Sequence, residues 1–280
     1  MKTSRVPSFT TVMLVLGLVF LYLPMLVLVV YSFNASRLVT VWAGFSTEWY
    51  GALFRDRQIL AAVWTSLEIA FFAASMAVCL GTVAAFVMTR FGRFRGKTAL
   101  SSMVTAPLVM PEVITGLSLL LLFVQMAQLT GWPADRGMAT IWIAHTTFCS
   151  AYVAVVVAAR LREMDRSIEE AAMDLGSPPL KTFFSITLPV ISPALVAGWL
   201  LAFTLSLDDL VIASFVSGPG ANTLPMVVFS SVRLGVSPKI NALATLIILV
   251  VSLATLLAWF VMRRSEKRRL ALNRKAQGGE

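Results

Sequence analysis

Ser167-Ile-Glu-Glu-Ala-Ala-Met-Asp-Leu-Gly176-Ser-Pro-Pro-Leu-Lys-Thr-Phe-Phe-Ser-Ile186-Thr-Leu-Pro189 is a proline-broken stretch that follows one long apolar run and leads into another. Ser167 with Glu170 three residues on has the spacing of a capping box. Ile168, Ala171, Ala172 and Leu175 recur at helical spacing, which predicts a short amphipathic helix. Gly176 fits the position after that helix, where a left-handed residue ends it. Pro178 and Pro179 prevent continuation, and a second helix is predicted from about Leu180. The stretch reads as a helix-turn-helix elbow, a knob suited to a soluble partner.

The runs around the elbow set the class. The 280 residues are 58% hydrophobic and 13% charged, with a mean hydropathy of +0.83, whereas a soluble domain carries about 25% charged residues. A spanning helix takes about 20 apolar residues. Six such spans are predicted, at about 11–33, 60–88, 100–129, 139–159, 184–207 and 242–262. The expected fold is all-α and polytopic. Its parts are residues 1–59 (first span and external segment), 60–262 (five spans with a cytoplasmic loop at 160–183) and a basic tail, 263–280. The first run is too long for a signal-peptide core and no small-residue cleavage site follows, so it reads as a retained helix.

Orientation follows from the basic residues. With a cytoplasmic N-terminus, seventeen Lys and Arg lie inside and six outside, which places both termini in the cytoplasm. The formal charge of +9 therefore marks membrane-flanking loops and attraction to anionic lipid, not a nucleic-acid partner. Of the two longer external segments, 34–59 holds Trp42, Trp49 and Tyr50, interfacial aromatics that predict a short surface helix. The other, 208–241, is apolar from Val211 and then broken at Ser217-Gly-Pro-Gly220. It either continues the fifth helix or folds back into the membrane, lining a cavity.

Several chemistries are poorly served. Cys79 and Cys149 lie inside apolar runs with no CxxC pair. His145 is the one histidine, on a span, which is more often a satisfied packing residue than a ligand. Gly92-Arg-Phe-Arg-Gly96-Lys97-Thr98 has three residues between its glycines where a phosphate-cradling loop has four, and it follows an apolar span instead of a strand. No cofactor and no metal site is expected. Energy for any transport must come from another polypeptide.

The elbow also carries a resemblance. Glu170-Ala171-Ala172, three residues, Gly176, nine residues, then Ile186-x-Leu188-Pro189 is similar to the loop of integral subunits in binding-protein-dependent ABC importers. Ser206 to Gly220 with Thr223-Leu-Pro225, Ala106 to Glu112, Trp132 to Gly137 and Gly235 to Ala244 resemble the polyamine branch, the putrescine and spermidine/putrescine permease subunits. The resemblance implies a type I importer permease of the bacterial inner membrane, without its own ATPase site. Its implied partners are two copies of an ATPase subunit docked on the elbow, a second related permease subunit and a periplasmic binding protein. Transport would run by alternating access.

Charge inside the spans bears on the cargo. Intramembrane ionisable groups are costly and usually face a path or a partner. Glu112, Asp208, Asp209 and Glu68 are all acidic, and no Lys or Arg lies deep in a span to neutralise them. Such a path suits a dication, held at each end by charge-assisted hydrogen bonds, with Trp64, Phe203 and Phe215 as candidate cation-π faces. Asp208 and Asp209 have a second reading as caps of a following helix, and Glu68 as a structural residue. Ferric iron or thiamine remain alternative cargoes. An ion-coupled secondary transporter would have no use for the elbow. An acid-pair protease would need two aspartates facing each other, which neighbours on one helix do not.

Overall fold

The structure is a computed structural model that describes residues 8–38, 41–235 and 237–277. Its elements are α1 (Ser8–Tyr31), α2 (Glu48–Phe54), α3 (Arg57–Arg90), α4 (Lys97–Val109), α5 (Glu112–Thr130), α6 (Met138–Glu163), α7 (Ser167–Asp174) and α8 (Pro179–Thr182). A π-helical turn (Phe183–Thr187) leads into α9 (Leu188–Asp208), then α10 (Val211–Val216), α11 (Leu224–Leu234) and α12 (Pro238–Gln277). The one extended pairing among the described residues is an isolated bridge between Asn34 and Phe45. Among the described residues, six helices are long and apolar enough to cross a membrane: 9–31, 57–90, 112–130, 138–163, 179–208 and 238–257.

The third span differs from the sequence reading. The apolar run 100–129 is two helices, broken at Met110-Pro111, and of the two only α5 is long enough to cross a membrane by itself. Proline lacks an amide hydrogen and holds its predecessor extended, and Met110 indeed sits at φ −74°, ψ 136°. Hydropathy is blind to that break. The apolar stretch after α9 does not continue that helix, since α10 is a separate short helix beginning beyond Asp209.

Contacts divide the chain into two units, residues 1–57 with 231–280, and residues 58–230. In the first, α12 packs against both α1 and α2. The Asn34 side chain organises the segment between α1 and α2: its amide donates to the Val41 carbonyl at 2.7 Å and its oxygen accepts from Ala43 and Ser36. Trp49 is buried and donates to the Asn34 carbonyl at 2.7 Å, while Tyr50 pairs with Ser32. Lys239 closes on Asp56 at 3.1 Å.

The second unit is built around α6. Of its most apolar stretch, 61% is buried, against none for α1, so α6 is the central strut. Without a hydrophobic drive in lipid, helices associate by close packing over small residues. On α3, Ala70, Ala73, Ala74, Ala77, Gly81 and Ala85 form that face. Val153 of α6 sits between two glycines: a Cβ on Gly81 would lie 2.8 Å from it, and one on Gly198 of α9 3.3 Å. Three spans converge there.

Candidate functional site

The elbow forms at 167–189. Asp165 accepts the Ser167 amide at 3.0 Å, so the cap is Asp165 and not the predicted Ser167–Glu170 box, because Ser167 is already helical. The amide and then the hydroxyl of Ser167 hold the Asp165 carboxyl below its ordinary value of 3.8. A depressed carboxylate contributes fully above that value and loses its effect as pH falls beneath it. Glu169 and Glu170 sit in the first turn of α7, where the helix dipole favours acids. Gly176 ends α7 at φ +85°, with Ser177 N–H donating to the Ala172 carbonyl and Gly176 N–H to Met173. This is the Schellman arrangement. Thr182 donates to the Ser177 hydroxyl at 3.0 Å and closes the turn, and Pro179 opens α8.

The inner face of α7 is tied down by charge. Glu169 is buried, 8% exposed, with Oε2 2.7 Å from Nε of Arg90, the last residue of α3. Its Oε1 accepts from Thr187 Oγ1 at 2.7 Å. Arg166, just before α7, donates to the Thr89 carbonyl. Thr187 reaches Glu169 from the π-helical turn that immediately precedes Leu188-Pro189. A proline in a continuous helix loses one hydrogen bond and crowds the preceding turn, and a widened turn is one way to absorb it.

The outer face is different. Glu170 and Ala171 are exposed, as are Leu175, Leu180 and Phe184, at 90%, 74% and 62%. Ala172, Ile186 and Leu188 are half-buried; Gly176 and Pro189 are exposed. A cleft of about 180 Å³ opens beside the elbow, between Phe86, Arg90, Glu170, Met173 and Phe183.

The acidic residues of the spans separate. Asp209 is buried and caps α10, accepting Ala213 N–H at 2.8 Å and Ile212 N–H at 3.3 Å. It also meets His145 Nε2 at 3.1 Å, while His145 Nδ1 meets Ser206 at 2.7 Å. The lone histidine is a packed, partnered residue. Asp208 and Glu112 are exposed, at the end of α9 and the start of α5, and Glu68 is half-buried. Of the aromatic candidates, Phe203 stacks on Trp199, Phe215 packs over Gly116, and Trp64 is 69% exposed.

Residues 77–270 match the family described as the binding-protein-dependent transport system inner membrane component. The chain belongs to that family. This inner membrane component is 67% identical over 268 residues to the putrescine transport system permease protein PotI of Escherichia coli K12, covering 96% of this chain and 95% of that one. It is 40% identical over 247 residues to the spermidine/putrescine transport system permease protein PotC of the same organism, covering 88% and 90%. In fold it is similar to a bacterial ABC transporter that imports alginate, with TM-score 0.71 at 18% identity over 92% of this chain and 94% of the other.

The elbow is thus a two-faced element, and the residues read from the sequence include both exposed ones (Glu170, Ala171, Gly176 and Pro189) and half-buried ones (Ala172, Ile186 and Leu188). Glu169, Arg90 and Thr187 were missed, since a pairing across 79 positions leaves no local spacing to detect. One signal was available: at 3.6 residues per turn, Glu169 and Glu170 cannot both lie on the same face of α7.

Proposed function

We propose that the chain is one of two membrane subunits through which a polyamine, foremost putrescine, enters the cytoplasm. The observation that carries this reading is the 67% identity to a putrescine permease along nearly the whole of both chains. The two exposed acids, Glu112 and Asp208, support it, since a path lined by carboxylates suits a dication. The 40% identity to a spermidine/putrescine permease makes spermidine the second candidate cargo.

In this reading both termini face the cytoplasm and the chain hydrolyses no ATP itself. Two ATPase copies bind at the elbows of this chain and of a related permease, and the apolar side chains of Leu175, Leu180 and Phe184 supply contact surface. A binding protein delivers cargo to the outer face. ATP-driven closure then turns the elbows and exposes the path outward. The test is uptake of labelled putrescine and spermidine by cells with and without the gene. A selective loss of putrescine uptake is expected on deletion; unchanged uptake of both would overturn the cargo.

A further inference from the structure

Two residues side by side on α7 face opposite ways. Glu170 is exposed, while Glu169 is buried against Arg90 and Thr187. The outer residue is open to a partner, but the inner one is buried against this chain's own side chains. Its contacts lie at the ends of two different spans, α3 through Arg90 and α9 through Thr187 of the π-helical turn. Arg166 adds a second tie to α3 at the Thr89 carbonyl, and Arg90 reaches back to the Met164 carbonyl at 3.5 Å.

A buried carboxylate between a guanidinium and a hydroxyl resists being pulled apart, because separation strands the charge away from water. The elbow cannot pivot freely beneath the spans. Turning it must carry the ends of α3 and α9 along.

We propose that the Arg90–Glu169 ion pair, with Thr187, is the link through which motion of the elbow is delivered to α3 and α9. Glu169 and Arg90 are positioning residues that join the docked face to the moving spans. The inference rests on the permease reading above, and it adds which side chains transmit the motion and which two spans receive it.

The test uses the whole importer with its binding protein in proteoliposomes, comparing labelled putrescine taken up with ATP hydrolysed. In Glu169→Gln the ATPase subunits still co-purify, but ATP consumed per putrescine rises at least roughly fivefold, the lower end of typical coupling between sites. The exchange of Arg90→Glu with Glu169→Arg brings the ratio part of the way back. A purely structural role would instead lower uptake and hydrolysis together, leaving the ratio fixed, and that result would overturn the proposal. If Glu169→Gln fails to accumulate, Thr187→Val decides, since it removes one hydroxyl: an unchanged ratio there also overturns it. Glu170→Lys separates the two levels, because it should release the ATPase altogether. Absence of putrescine uptake by the unaltered importer would count against the cargo, not the link.

Discussion

Asp209 uses both carboxylate oxygens on backbone amides of α10 and still meets His145; its neighbour Asp208 is exposed and, in the proposed reading, is the one of the two open to cargo. That division gives opposite expectations for adjacent residues. His145→Ala leaves a buried acceptor short of a partner, a loss of about 1–3 kcal/mol, and should lower the thermal stability of the detergent-solubilised protein. Asp208→Asn should leave stability alone and raise the KM for putrescine uptake; an unchanged KM would remove Asp208 from the path. At Glu169 the cost is larger. Removing one member of a buried pair costs about 3–5 kcal/mol, so Arg90→Ala should destabilise more than Arg93→Ala, whose side chain is exposed. Spacing alone suggested caps and acids here, but it could not assign one aspartate to each role, because burial depends on helices distant in sequence.

Glycines show how an element's geometry sets the cost of a change. Gly176 has open space around it and a φ of +85°, so Gly176→Ala meets only the left-handed penalty of about 1–2 kcal/mol. Gly218 is the reverse: a Cβ there would overlap the Arg136 carbonyl. Gly218→Ala should therefore abolish accumulation in the membrane, while Gly176→Ala should accumulate and transport slowly; equal membrane levels would contradict this account. The elbow's stop signals were legible because Gly176 and the two prolines act locally. Pro111 reads in the sequence as a residue that loosens the third span, and the structure goes further and breaks the helix there, because the apolar run on both sides gives no sign of a stop. The spacing of Ser167 and Glu170 points to Ser167 as the cap; Asp165 is two residues earlier and completes the same task from outside the helix.

Across the whole chain, the membrane class and the number of spans followed from apolar runs of sufficient length, and lipid leaves few other structures available. The grouping of the last span with the first, in residues 1–57 and 231–280, had no such signal; it is set by packing across nearly the full sequence. The proposed orientation has a direct check. Single cysteines placed at Arg95 and at Arg136 should react with membrane-impermeant reagents from opposite faces, the first only after the cells are opened. Labelling at position 95 from outside, with position 136 reached only after the cells are opened, would reverse the topology. Much of the six-span outline was thus legible, whereas the contacts that make the elbow useful were not.

The Arg90–Glu169 pair also has a history within each molecule. Synthesis proceeds at about 5–20 residues per second, so Arg90 leaves the ribosome roughly 4–16 seconds before Glu169, 79 positions later. During that interval it is a cation without Glu169 beside the newly inserted α3, suited, in the proposed orientation, to holding that end on the cytoplasmic side. One arginine would then serve in succession, first as a topogenic anchor for the nascent chain and later as half of a buried ion pair. A chain stalled before Glu169 is synthesised should hold α3 in place while leaving Arg90 open to solvent.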